Sequence, residues 1–116
     1  MNRLIAGILL ACLATVAAAS DREEVEITFD KHKGKIYAVY ARELKTNPDM
    51  GRAPVKLVLD VKIATDGRVA GCRILSSNAP SPGFGDKVCE RVLEFQFAPR
   101  PAVTSYTKKI DFFPAG

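Results

Sequence analysis

The chain is poor in the residues that carry out chemistry. Its one histidine, His32, sits in the lysine-rich stretch Asp30-Lys31-His32-Lys33-Gly34. A general base needs an orienting partner and a metal-binding imidazole needs companions, so His32 reads as a solvated surface residue. Cysteine occurs at Cys12, Cys72 and Cys89, with no Cys-x-x-Cys pair, which leaves no basis for a zinc or thioredoxin-like site. Ser76, Ser77 and Ser81 lie in no nucleophile elbow, and no phosphate-binding glycine pattern follows a strand. Charge of one sign is scarce as well, with 17 basic residues against 13 acidic ones, interspersed along the chain. Lys31, Lys33 and Lys35 do not make the clustered basic face with interleaved aromatics of a nucleic-acid binder. No internal repeat or low-complexity linker is visible. These absences lead to the expectation of a non-enzymatic protein with no catalytic residue, no metal and no cofactor.

The N-terminus carries a positive signal. Met1-Asn2-Arg3 is short and basic, Leu4 to Val16 is apolar, and Ala17-Ala18-Ala19 offers small residues before Ser20 and a run of charges. That is the order of a secretory signal peptide, with cleavage expected between Ala19 and Ser20. The apolar run is short for a bilayer span. Within it, Leu9-Leu10-Ala11-Cys12 resembles a bacterial lipobox, so a membrane-anchored lipoprotein is the alternative, and an uncleaved anchor a third. The run continues past Cys12, which favours simple secretion. The expected division is residues 1–19 as signal peptide and 20–116 as one small periplasmic domain. Without Cys12, an even pair remains in an exported chain. Cys72 and Cys89 are a candidate disulfide, with two buried thiols as the other reading.

In the remaining chain, Val25, Ile27 and Phe29 alternate with Glu24, Glu26, Thr28 and Asp30, a period-two pattern that predicts a strand over 22–30. Asp30 is placed to cap a helix in which Ile36, Val39, Tyr40 and Leu44 recur at helical spacing, ending by Asn47-Pro48. Val55, Leu57, Leu59, Val61 and Ile63 make the strongest strand pattern. Thr65-Asp66-Gly67-Arg68 supplies a hairpin turn. The return strand, 69–76, places Ala70, Cys72 and Ile74 on one face and alternates less well, which predicts a bulge near Gly71. Ser81 with Pro82 suggests a capped second helix carrying Phe84, Val88, Val92 and Phe95. Thr104 to Phe113 closes the chain as a strand, with Tyr106, Ile110 and Phe112 inward and Thr107, Lys109 and Asp111 outward. The expected fold class is α+β, a small antiparallel sheet with two helices on one face, in the order β-α-β-β-α-β.

The stretch from Val55 through Thr65-Asp66-Gly67-Arg68-Val69 to Ser76-Ser77 resembles the central hairpin of TonB C-terminal domains. Phe95-Gln96-Phe97-Ala98-Pro99 resembles their helix ending in an aromatic step before a proline. Phe29-Asp30-Lys31-His32-Lys33-Gly34-Lys35-Ile36-Tyr37 and the closing Ile110-Asp111-Phe112-Phe113-Pro114 are similar to the AgmX/PglI branch, known from gliding-motility and TonB-like transport proteins. The resemblance spans roughly Val25 to Pro114. It implies a periplasmic module that binds an extended segment of an envelope protein, an outer-membrane transporter or a component of a motility or transport complex, by strand addition. The implied edge is Thr104, Ser105, Tyr106, Thr107, Lys108, Lys109, Ile110 and Asp111. An ordinary edge strand guarded by Lys108 and Lys109 is the plainer reading. Transducers of this kind carry a membrane helix and a long proline-rich spacer, neither of which is read here. A free-standing module is therefore expected before a membrane-tethered transport component. A small secreted inhibitor of cystatin-like outline is the third class considered.

Overall fold

Five apolar side chains in alternate positions dictate the architecture. Val55, Leu57, Leu59, Val61 and Ile63 are all almost wholly buried, whereas Lys56 and Lys62 between them are exposed. A strand of this kind must lay one face on a core and leave the other to solvent. In a computed structural model, which describes residues 21–114, this strand is β1 (Val55–Ile63). It pairs antiparallel with β2 (Val69–Ser77) on one side and β3 (Thr104–Phe112) on the other, giving the order β2-β1-β3. Helices cover the apolar face, so the fold is α+β with an antiparallel sheet, as expected. The expected leader, Cys12 and the Ala19–Ser20 junction lie outside the described residues. Among those residues, no helix is long and apolar enough to cross a membrane.

The β1–β2 turn is the hairpin that Asp66-Gly67 predicts. Gly67 has φ +89°, a left-handed conformation that L-residues avoid. Its N–H donates to the Ala64 carbonyl at 2.9 Å, and its own carbonyl accepts the Phe97 N–H at 2.9 Å. The Gln96 amide donates to the Asp66 carbonyl, and the Arg100 N–H to that of Thr65, so the turn is a platform for the segment leading into β3. The return strand is more irregular than expected. Lys62 faces Gly71 and Ile63 faces Val69, so Ala70 is extra; Val58 faces Ser76 and Leu59 faces Ile74, so Leu75 is extra. The bulge at Ala70 resets the alternation: Val69, not Ala70, joins Cys72 and Ile74 against the core.

One predicted strand is a helix. Residues 21–31 form α1, and the single turn residue His32 separates it from α2 (Lys33–Thr46). The stretch 22–30 satisfies two periods at once, because Val25 and Phe29 are four apart as well as even-spaced. The structure buries Val25 and Phe29 but leaves Ile27 54% exposed, which only helical geometry allows. The order among the described residues is therefore α-α-β-β-α-β. Asp30 caps nothing, since hydrogen bonding continues from α1 through His32, whose N–H donates to the Thr28 and Phe29 carbonyls. Ser81 also fails as a cap: α3 (Phe84–Val92) starts two residues after Pro82 with Gly83 at its N-cap. The Ser81 hydroxyl donates instead to buried Glu43 at 2.5 Å.

Two aromatic groups fill the layer between helices and sheet. Tyr40, Phe84 and Phe112 meet with ring centroids 5.1 to 6.1 Å apart, and Phe29 packs on Phe95 at 5.7 Å and Phe97 at 5.6 Å. Cys72 on β2 and Cys89 on α3 are joined in a disulfide across Cα atoms 5.5 Å apart. The bond fastens α3 to the sheet margin.

Two stability outcomes follow from this arrangement. An alanine Cβ at position 67 would collide with the Phe97 carbonyl oxygen in addition to its left-handed strain. Gly67→Ala should therefore lower unfolding stability by more than about 2 kcal/mol in urea melts. Replacing Cys72 and Cys89 together by serine opens a loop of sequence separation 17 and should cost about 3 kcal/mol. Wild-type protein melted under reducing conditions should show a matching loss.

Candidate functional site

Among the described residues β3 has a neighbour on one side only, and its register shows which backbone groups point away from β1. Lys56 of β1 directs both its N–H and its carbonyl toward Asn78, beyond the end of β2. Residues opposed in an antiparallel pair point their polar groups either toward each other or both away. Asp111 faces Lys56, so its polar groups point away from β1. The Tyr37 hydroxyl indeed donates to the Asp111 carbonyl at 2.9 Å from outside the sheet. The β1–β3 register runs without a bulge from Val55–Phe112 to Ile63–Thr104. Ser105, Thr107 and Lys109 therefore present N–H and C=O outward along the open edge, as Asp111 does. Tyr106, Lys108 and Ile110 turn theirs to β1.

A groove of about 700 Å³ runs between this edge and the α1–α2 junction. Ile27, Phe29 and Ile36 come from the helices and Ile110 from β3; Lys31, Lys33, Asp30, Glu26, Lys108 and Lys109 make its polar margin. Glu26 pins one wall to the strand. It accepts hydrogen bonds from the Tyr106 hydroxyl and, at 2.8 Å, from Lys108 Nζ. That ammonium also lies 5.3 Å over the Phe29 ring. Burial works against the Glu26 charge, but the hydrogen bonds from Lys108 and Tyr106 and the Lys108 charge together hold its carboxyl below 4.5. Burial first, and the Glu26 carboxylate second, push the Tyr106 phenol up to about 12.

A second clasp holds α1 at Asp21 and Glu24. Arg100, its side chain 2% exposed, donates from Nη2 to Glu24 at 3.0 Å and lies 2.9 Å from Asp21 through Nη1. That second contact is ionic only, since its angle makes no hydrogen bond. Glu24 also accepts the Ala98 N–H at 2.6 Å. A buried guanidinium needs such partners, because removing one leaves an uncompensated charge.

The eight residues singled out in sequence, Thr104 to Asp111, all lie on β3, with Thr107, Lys109 and Asp111 exposed on the uncovered face. Three of them are engaged by α1 or α2: the Tyr106 and Lys108 side chains by Glu26, and the Asp111 carbonyl by Tyr37. His32 is half-buried and stacks on Phe95 at 4.6 Å, so it is a packing residue more than a solvated one. The α1 part of the groove wall, Ile27, Phe29 and Lys31, was hidden by reading 22–30 as a strand, whereas Ile36 lies on the helix that was expected. The i, i+4 spacing of Val25 and Phe29, and of Glu24 and Thr28, is the signal that points to it. Among the described residues, no group of three His, Cys, Asp or Glu could hold a metal. No family model, curated protein or solved structure matches the chain, so the resemblance to TonB-type domains rests on its quoted motifs.

The Glu26–Tyr106 contact titrates from both ends. The Tyr106 contribution to stability is complete below pH 10.0 and is lost as pH rises through about 12. The Glu26 contribution is present above pH 4.5 and is lost as pH falls through its lower folded value. In Glu26→Gln, the Tyr106 phenol should ionise closer to 10.0, which ultraviolet titration against a Tyr106→Phe control would read.

Proposed function

We propose that this chain is a non-enzymatic interaction module of the bacterial cell envelope, and that it receives an extended segment of a partner protein as an added strand along β3. The observation that carries this reading is the row of outward N–H and C=O groups at Ser105, Thr107 and Lys109 beside an apolar groove. Main-chain hydrogen bonds along such an edge supply affinity, and pockets for alternate side chains supply selectivity. The leader sequence supports a periplasmic setting, and the TonB-type motifs support a partner in the outer membrane or in a transport or motility complex. Tyr37 bounds the usable edge by occupying the Asp111 carbonyl.

Proline separates this reading from an edge that merely faces solvent. At Thr107 or Lys109 it removes an outward donor and leaves the β1 ladder intact, as edge strands tolerate. With a photocrosslinker at Ser105 in living cells, wild-type protein should capture a defined envelope partner. Thr107→Pro should reduce capture roughly 2- to 10-fold, the equivalent of one net hydrogen bond, and the double variant with Lys109→Pro further. Circular dichroism and melting should stay close to wild type. Capture at full strength by the folded double variant overturns the proposal.

A further inference from the structure

We infer that the groove reads the side chains of the added strand, selecting a segment whose groove-facing row is apolar in the middle and ends in a carboxylate. This rests on strand addition at β3 and specifies its ligand. Alternate residues of an added strand share a face, so every second side chain enters the space between the strand and the α1–α2 junction. The floor it meets is Phe29, Ile36 and Ile110, all buried, with Ile27 left 54% exposed at the same place. An isoleucine so exposed on an otherwise amphipathic helix is apolar surface that an apolar side chain of a ligand would cover.

The margin carries charge in excess, with Lys31, Lys33 and Lys108 against the two carboxylates Glu26 and Asp30, while the Lys109 side chain lies on the uncovered face of the sheet. Glu26 is already bound to Lys108 and Tyr106. Among the described residues, Lys31, Lys33 and Lys109 have no carboxylate within ion-pair distance. Lys31 and Lys33 flank the turn at His32, on the wall of the groove itself. A ligand carboxylate there gains the field of two unpaired ammonium groups next to a low-dielectric floor, whereas a ligand cation is repelled. The occupant that fits is thus an anionic extended peptide.

Blocked peptides whose alternate residues face one way would test this, because placing charge at both ends removes any dependence on strand direction. The probes are Glu-Gln-Ile-Gln-Ile-Gln-Glu and its counterpart with lysine in place of both glutamates. Titration calorimetry on the wild-type domain should show the glutamate peptide binding at least about tenfold tighter, a difference that shrinks as salt is raised. Lys31→Glu with Lys33→Glu should invert the preference, and Lys31→Gln with Lys33→Gln should abolish it without charge reversal. Thr107→Pro should weaken both peptides alike. Equal binding of the two peptides that remains sensitive to Thr107→Pro would overturn the groove readout and leave strand addition standing. Charge selectivity without sensitivity to Thr107→Pro would overturn strand addition, and the inference with it. Binding to phosphatidylglycerol vesicles with no binding of either peptide would reassign the lysines to a lipid surface and overturn the inference.

Discussion

Burial of one face of β1 is the constraint on which everything else depends. Among the described residues β1 is the only strand with two neighbours, and its inward row, from Val55 to Ile63, is at most 2% exposed. A sheet of three strands cannot shield such a row by itself, so α1, α2 and α3 must all lie on the same side. The consequence is a lopsided domain with one open sheet face and two edges. The edges are not equivalent. β2 carries two bulges in nine residues, which breaks the regular spacing that another strand would need. β3 is unbroken over its own nine residues and keeps the regular edge. Of the two edges, only that of β3 thus offers an added strand a regular ladder.

How legible this was in sequence depended on whether a signal was local. β1 and the Asp66-Gly67 turn are written in consecutive residues, and so is the inward row of β3. The bulge at Ala70 left a trace as imperfect alternation, though the second, at Leu75, did not. The stretch 22–30 could not be resolved locally, because valine, isoleucine and phenylalanine at even spacing suit a strand while Val25 and Phe29 suit a helix. Distant partners decide it: Arg100 and Ala98 for Glu24, and Tyr106 with Lys108 for Glu26. The same distance hid part of the candidate site. Its strand half was readable, and so was the α2 part of its wall, but the α1 part was not. Spacing alone also left the pairing of Cys72 with Cys89 open, since it does not fix the approach of β2 to α3.

Polar contacts in this core tie elements together rather than fill space. Glu43 of α2 is buried, yet it accepts hydrogen bonds from Lys87 at 2.6 Å and from Ser81. The bonds from Lys87 and Ser81 outweigh its desolvation and hold its carboxyl below the ordinary range. It thereby joins α2 to α3 and to the loop before it. Arg100 does the same for α1 and the segment entering β3. Buried charges add little net stability against an apolar alternative, but a mismatched arrangement would strand them unpaired. In this molecule they join elements distant in sequence, α2 to α3 through Glu43 and α1 to the segment entering β3 through Arg100.

That placement bears on the groove. α1 is fixed to the α3–β3 segment by Arg100, through Asp21 and Glu24, and to β3 by Glu26. α2 is fixed by Tyr37 to the outward carbonyl of Asp111, and by Glu43 to α3. Both helices are thus held from contacts that lie outside the floor of Phe29, Ile36 and Ile110. A groove whose walls are positioned by other parts of the fold does not have to be ordered by its ligand, so less of the interaction energy is lost to conformational entropy. The geometry also separates two tasks on one strand. Even-numbered residues of β3 hold the domain together through β1 and the Glu26 clasp, while Ser105, Thr107 and Lys109 leave their backbone free. An edge built in this way can change its outward side chains with little effect on the core.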